Sequence, residues 1–463
     1  MMRSEPQPAK VSYFFGKGYR DLGNTIKEAW YLNVESAKGF FAKAGENGYF
    51  SFVGGMWLIA ALAVIIYGTV IFSAVSIVHI AVLAFFFLLV YAGFSIVWLV
   101  DRIYMHIHKI SNACPNSNCQ EKFLLPVYEC ECGARHTMLL PGKYGILHRT
   151  CLCGRKLPTT FFNGREKVKA FCPKCGTQLD GEIAMQIAIP VIGGPSVGKT
   201  CYINMAVDKM MSAVANDRNW EVKYASETDA NDHKRAMQNL SQGIRLEKTS
   251  FSNLTAYKLL VKLPSDNVKR RVFIYDIAGE MFSSSSDVQK NKAYEYADGF
   301  IFVIDPLSIG RYAMEKDGIN IDSYGVSTKD FDDILSIMLV NLEKMFDLKP
   351  SDVLKKNLAV VINKSDIPGL NDLIGDNTAE KYLEEHPECK TFAEAKNAVC
   401  KDFLEKYEAG NFARTAESKF KRVQYFTCSS LGHNKEGIKY EAQNVDKPLL
   451  WLLENIDSSM KSK

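Results

Sequence analysis

Gly193-Gly194-Pro195-Ser196-Val197-Gly198-Lys199-Thr200 is the stretch whose reading decides the fold. A short apolar run at 186–192 (QIAIPVI) leads into it and reads as a buried strand, and a helical pattern follows over 201–213. The stretch matches G-x-x-x-x-G-K-[ST] in full, a pattern whose chemistry is phosphate binding. Glycines let the backbone wrap a phosphate and turn its N–H groups inward, and the N-terminus of the next helix adds positive dipole. The expected contacts are Gly193, Gly194, Ser196, Val197 and Gly198 in the loop and Lys199, Thr200 and Cys201 at the helix start. Lys199 would reach the β and γ oxygens and Thr200 would ligate Mg²⁺. Pro195 is a departure, because it removes one N–H from the loop.

Three further strand ends complete the pattern. Residues 271–275 (RVFIY) run into Asp276-Ile277-Ala278-Gly279-Glu280, which places Asp276 to bind Mg²⁺ and the Gly279 N–H to meet a γ-phosphate. Residues 358–362 (LAVVI) run into Asn363-Lys364-Ser365-Asp366. The Asp366 carboxylate can accept from the N1–H and exocyclic amine of guanine, a donor pair adenine lacks, while the Lys364 stem lies over the base. Residues 423–426 (VQYF) lead to Thr427-Cys428-Ser429-Ser430-Leu431-Gly432, whose backbone at Ser429, Ser430 and Leu431 would touch guanine O6.

GGPSVGKT, DIAGE, NKSD and CSSLG, in this order, resemble the P-loop GTPases of the Ras-like and translation-factor class over residues 183–458. The resemblance implies an α/β domain, a mainly parallel sheet flanked by helices with nucleotide at the carboxyl ends of the strands. It implies GTP and GDP as ligands, Mg²⁺ as cofactor, and GTP hydrolysis. Two positions depart from the pattern. The residue after D-x-x-G is often a Gln that orients the attacking water; here it is Glu280, a carboxylate repelled by the γ-phosphate, so intrinsic hydrolysis is expected to be slow and partner-stimulated. The candidate for the switch threonine that closes on Mg²⁺ is Thr249, just before the strand expected at 257–263, with Thr255 as the rival.

The remainder of the 463 residues is strongly segregated. Residues 52–100 contain no Asp, Glu, Lys or Arg. As one helix these 49 residues would be roughly 74 Å long, against a hydrocarbon core of about 30 Å. Two membrane spans at 54–72 and 77–99, turning at 73–76, are therefore expected. Lys38, Lys43, Arg102 and Lys109 flank the run, with no basic residue in the turn, which predicts both termini in the cytosol. Residues 11–45 read as an amphipathic or soluble helix.

Eight of the 12 cysteines lie in four paired knuckles between 114 and 175: Cys114/Cys119, Cys130/Cys132, Cys151/Cys153 and Cys172/Cys175. Tetrahedral zinc takes four thiolates, so two structural ions are expected. Disulfides are disfavoured in a reducing cytosol. Sequential pairing would group Cys114, Cys119, Cys130 and Cys132 on one ion and Cys151, Cys153, Cys172 and Cys175 on the other; interleaved pairing stays open. Residues 101–180 carry a formal +6, but two tetrathiolate centres of about −2 each leave only about +2. With a net charge of +4 for the whole chain, this argues against a nucleic-acid partner.

The expected order is thus a cytosolic segment (1–50), a membrane hairpin (51–101), a zinc-ribbon region (110–180) and a GTPase domain (183–463). As a whole, this architecture resembles the bacterial double-GTPase proteins, which occur beside partner GTPases. That resemblance implies residence in the bacterial inner membrane and an effector or partner GTPase. Two functions compete: a membrane-anchored, GTP-loaded switch, and a nucleotide-binding scaffold with little turnover.

Overall fold

Uninterrupted runs of β-branched and aromatic residues, too apolar to face water on either side, demand a sheet covered on both faces. The computed structural model describes residues 7–107, 112–114, 119, 121–179, 184–246, 255–266, 268–277, 296–315, 324–346, 349 and 354–461, and divides into two compact units. One comprises residues 1–108 and 125–182, the other 109–124 and 183–463. The block expected from 110 to 180 is therefore split, its first part belonging with the second unit.

In the second unit the runs become β1 (Met185–Ile192), β2 (Glu221–Tyr224), β3 (Thr255–Lys262), β4 (Arg270–Asp276), β5 (Gly299–Ile304), β6 (Leu354–Ile362) and β7 (Phe420–Thr427). They form one sheet in the order β7-β6-β5-β1-β4-β3-β2. The pairs from β7 through β4 are parallel, and β3 and β2 extend the sheet antiparallel. Every residue of β5 is buried, as are the last six of β6. The chain leaves β1 at the position where its neighbours β5 and β4 come from later crossovers, the place where such sheets open a crevice at their carboxyl ends.

Helix α3 (Lys199–Lys209) begins inside the glycine-rich loop and widens into a π turn at Met210–Val214. Helix α4 (Glu227–Ser241) is capped by Ser226, whose hydroxyl accepts from the Asp229 N–H. Helix α5 (Phe331–Met345) packs Ile334, Leu335, Met338 and Leu342 into the main core, beneath Phe300 and Phe302 of β5. The charged stretch at 376–406 is two helices, α6 (Asp376–Glu385) and α7 (Phe392–Lys406), interrupted around Pro387 as its ring requires. Helix α8 (Gly410–Lys419) precedes β7, and α9 (Asp446–Ile456) closes the domain with buried Leu449, Leu452 and Leu453.

In the first unit, α1 (Lys17–Glu46) and α2 (Phe52–Ile107) pack side by side. Their partners pair in reverse order, which makes the helices antiparallel. The Phe15 and Tyr91 rings meet at 5.3 Å, Tyr19 and Phe87 at 5.5 Å, and Phe40 stacks on Trp57 at 5.7 Å. Here the structure corrects the sequence reading. Residues 73–76 are helical, so no turn divides 54–72 from 77–99; the reversal lies at 47–51. Ser73 and Ser76 do not break a helix with no proline, and Ser76 Oγ accepts from Trp30 Nε1 at 3.1 Å. Among the described residues, α2 is the one helix long and apolar enough to cross a membrane. Its face away from α1 exposes Ile59, Val70, Ile77 and Leu88.

The far end of α2 enters the cysteine-bearing part of the same unit. Asp101 accepts from the Phe161 N–H at 2.8 Å and from Arg165 Nη1 at 2.9 Å, and both side chains of this ion pair are almost completely buried. Arg165 also donates to the Thr159 carbonyl at 2.8 Å.

Candidate functional site

The carboxyl ends of β1, β4, β5, β6 and β7 gather the sequence motifs around one cleft of about 260 Å³. It is lined by Ser196, Gly198, Lys199, Thr200 and Cys201 from the glycine-rich loop and α3, by Asp276 from β4, by Asn363, Lys364 and Asp366, and by Ser429, Ser430 and Leu431. Gly193, Gly194 and Val197 complete the loop beside it. Ser196 holds a left-handed φ of 62° although it is not glycine. Backbone strain of this kind clusters at ligand-holding turns.

Lys199 is buried, and its ammonium donates to the carbonyls of Gly193 at 2.9 Å and Gly194 at 2.7 Å, so the cation sits within the loop's curve. Thr200 Oγ1 donates to Asp276 Oδ2 at 2.8 Å. The two residues expected to share Mg²⁺ are thus adjacent despite lying 76 positions apart, and a hydroxyl beside a carboxylate is a hard-oxygen donor set that suits that ion. Burial pushes the Cys201 thiol up to about 11, so it stays protonated at neutral pH and adds no charge to the phosphate end.

At the other end, Asn363 ties three motifs together. Its Nδ2 donates to the Val197 carbonyl at 2.8 Å, and its Oδ1 accepts from the Ser430 N–H at 3.1 Å and the Ser430 hydroxyl at 2.9 Å. Asp366 Oδ1 accepts from the Ser429 hydroxyl at 2.5 Å, and the Ser429 Oγ in turn accepts from the Gly432 N–H at 2.7 Å. One carboxylate oxygen of Asp366 is thereby fixed, which orients the other. Lys364 donates to Asp305 Oδ2 at 2.6 Å and to the Gly325 carbonyl at 2.8 Å. Asp305 is fully buried at the end of β5, where it also accepts from the Leu307 and Ser327 N–H groups.

Several lining residues escaped the sequence reading. Pro195 was noted there only for its missing N–H; Arg245, Leu246, Tyr324, Gly325, His433 and Asn434 are new. Burial, and after it the Asp366 charge, push the Tyr324 phenol up. Asp305 does not line the cleft but holds Lys364, and it alone carries a sequence signal, an acid at the end of a buried strand. Thr249, Gly279 and Glu280 lie outside the described residues. Thr255 begins β3.

In the first unit, the sulfur atoms of Cys130, Cys132, Cys151 and Cys153 lie within 4.8 Å of one another. Cys130 and Cys153 are 3.7 Å apart, as are Cys132 and Cys151. Four sulfurs at about 2.3 Å from a tetrahedral zinc stand about 3.8 Å apart, so the donors fit that ion. Each knuckle closes with a backbone turn: the Gly133 N–H donates to the Cys130 carbonyl and the Gly154 N–H to the Cys151 carbonyl. Both glycines have left-handed φ, 81° and 94°. This grouping overturns sequential pairing. Cys130 and Cys132 keep company with Cys151 and Cys153, because the antiparallel pairing of 148–150 with 156–158 makes a second knuckle that faces the first. Cys114 and Cys119, with Cys172 and Cys175, are the remaining four.

The family model of double-GTPase 2 matches residues 187–439, more than half of the chain. The chain belongs to the double-GTPase 2 family. The matched span begins inside β1 and takes in the glycine-rich loop, Asp276, the 363–366 motif and Ser429–Leu431, so the double-GTPase 2 domain and the cleft coincide. Among solved structures, a GDP-bound RocCORdC fragment of Roco2 from Methanosarcina barkeri is similar at 10% identity, covering 58% of this chain and 49% of that one, with a TM-score of 0.22. This chain thus spans about half the length of that structure. No curated relative matches it.

Proposed function

We propose that this double-GTPase 2 protein binds GTP with Mg²⁺ in the cleft, hydrolyses it to GDP and phosphate, and acts as a nucleotide-dependent switch associated with a membrane. One observation carries the reading: the phosphate loop, Asp276, Asn363, Lys364, Asp366 and the 429–431 loop, far apart in sequence, line a single cleft. Backbone N–H groups of 193–201 and the Lys199 ammonium hold the phosphates. Thr200 and Asp276 hold Mg²⁺, which neutralises phosphate charge when bound. Asp366 reads guanine, the Lys364 stem covers the base, and the backbone of 429–431 meets O6. Thr249 and Gly279 are the residues expected to sense the γ-phosphate.

The eight paired cysteines support zinc as a structural element, two ions at four thiolates each, with Cys130, Cys132, Cys151 and Cys153 as one donor set. The exposed apolar face of α2 supports membrane association, since contiguous apolar surface on this scale needs an apolar neighbour. The nucleotide domain then faces the cytosol, where GTP is, and its output is recruitment of an effector or partner GTPase.

Glu280 favours a second reading, a scaffold that binds nucleotide and turns it over poorly. Phosphate release by the purified, detergent-solubilised chain separates the two. The switch predicts release that Lys199→Ala abolishes. GTP binding without release, with or without lysate fractions as activator, would leave the scaffold.

A further inference from the structure

Arg245 lines the cleft, yet neither the phosphate loop nor the guanine motif includes it. It lies just beyond α4, in a segment sewn to the loop that follows Leu431. The Tyr440 N–H donates to the Leu240 carbonyl at 3.2 Å, the Gly437 N–H to the Gly243 carbonyl at 3.1 Å, and Arg245 Nη2 to the Asn434 carbonyl at 3.1 Å. Gly243 has φ +72°, and a Cβ there would stand 2.4 Å from the Ile438 nitrogen, so the two backbones approach as closely as glycine permits. Arg245 is therefore mounted on a built wall.

The mount leaves the guanidinium available. Arg245 makes no ion pair among the described residues, and its Nε is buried without a hydrogen-bond partner among them. Of the other two cations of the cleft, Lys199 belongs to the phosphate loop itself and Lys364 is paired with Asp305. Position tells which part of a nucleotide Arg245 meets. The neighbouring Leu246 backbone lies against the Cys201 thiol in the first turn of α3. Tyr324, which lines the same cleft, feels both the Arg245 charge and that of Asp366, at the guanine end. The residue is thus within electrostatic reach of the first turn of the phosphate helix and of the neighbour of the base reader, in one cleft.

We infer that Arg245 is a nucleotide clamp whose guanidinium, held by the Asn434 carbonyl, donates to the α,β-diphosphate shared by GDP and GTP. A planar guanidinium presents several donors in a fixed fork and matches phosphate oxygens bidentately. The clamp slows release of either nucleotide. The inference rests on the guanine-nucleotide reading above.

The test measures GDP and GTP affinities and dissociation rates, by fluorescent-nucleotide titration of the full chain in detergent, for wild type, Arg245→Gln and Arg245→Lys. Glutamine keeps a donor for Asn434 but no charge. Arg245→Gln is expected to weaken GDP and GTP alike by about 10- to 100-fold, chiefly through faster dissociation, with Arg245→Lys in between. Unchanged affinity for both nucleotides in Arg245→Gln would overturn the clamp. A loss confined to GTP would overturn it too, by placing the guanidinium at the γ-phosphate. Failure of wild type itself to bind GDP or GTP would instead sink the guanine-nucleotide reading. Unfolding curves of the nucleotide-free variants identify misfolding, in which case Arg245→Lys, the gentler change, decides.

Discussion

The Asn363 side-chain amide donates to the Val197 carbonyl at 2.8 Å, across 166 positions of sequence. The phosphate loop and the guanine motif are thereby one rigid object, since the other end of the same amide holds Ser430. Asn363→Ala leaves a buried backbone N–H at Ser430 without its acceptor, at a cost of about 1–3 kcal/mol. The expected result is a lower unfolding midpoint together with at least about a tenfold loss of GTP affinity. Calorimetric titration and a thermal scan of the same preparation check both.

Base selectivity follows from how Asp366 is held. Ser429 fixes one carboxylate oxygen at 2.5 Å. In Asp366→Asn the amide oxygen can keep that bond, which turns the NH₂ toward the base. An NH₂ donates to the 2-carbonyl of xanthine and cannot accept from guanine. The variant should therefore prefer xanthosine triphosphate over GTP, the reverse of wild type. Competition binding of the two decides it, and an unchanged ranking removes Asp366 from the base site.

Metal content should follow the observed cysteine grouping. Zinc analysis is expected to find two ions per chain, and Cys130→Ser, Cys132→Ser, Cys151→Ser and Cys153→Ser should each lose the same one. Where a site and its fold form together, that loss also unfolds the local knuckle. If Cys130→Ser and Cys151→Ser removed different ions, the grouping would be wrong.

Acid should weaken the nucleotide domain through His233. The ring is buried between α4 and α3, with Nδ1 2.6 Å from the Tyr224 hydroxyl and Nε2 2.9 Å from the Asn204 carbonyl. These partners assign Nε2–H as the donor in the neutral ring. Burial lowers its pKa below the ordinary 6.5; the Asn204 carbonyl and the Asp208 charge oppose this without cancelling it. The unfolded chain therefore takes up the proton first. The stability contributed by the neutral ring is present above about pH 6.5 and is lost as pH falls from there through the folded-state value. His233→Gln should flatten that slope in unfolding curves recorded between pH 7.5 and 5. A wild-type slope that persists in the variant would point to another group.

The buried ion pair predicts an asymmetry. Asp101→Ala strands the Arg165 charge with only neutral partners, the Leu139 and Thr159 carbonyls and the Met105 sulfur, which costs about 3–5 kcal/mol in comparable pairs. Replacing both residues by apolar side chains of similar volume should cost much less. Unfolding midpoints of the single and double variants measure the difference.

What the sequence disclosed followed its contiguity. The strands before Gly193, Asp276 and Asn363 and the motifs they carry are local patterns, and each lies within a residue or a few of its expected place. Arg245, Tyr324 and Asn434 come from three separate loops, and no spacing announces that they line one cleft. Knuckle spacing reveals that Cys130/Cys132 and Cys151/Cys153 are pairs, but the facing of one pair on another depends on strand pairing at 148–158. The turn expected at 73–76 is absent for a different reason. An uncharged run without proline has the same composition whether it is one helix or two. The stop signal lay earlier, at Asn47-Gly48, where the left-handed glycine ends α1.

Helix α2 has a consequence beyond hydrophobicity. It runs unbroken for 56 residues, and its far end is bolted at one azimuth by the Asp101–Arg165 pair. Adding a single residue between 60 and 100 would turn that end by about 100° and slide it about 1.5 Å, carrying Asp101 off Arg165. Seven added residues, about two full turns, would restore the angle while moving the end roughly 10 Å along the axis. The segment therefore behaves as a keyed shaft: its apolar side chains are interchangeable among themselves, whereas its length is fixed in phase.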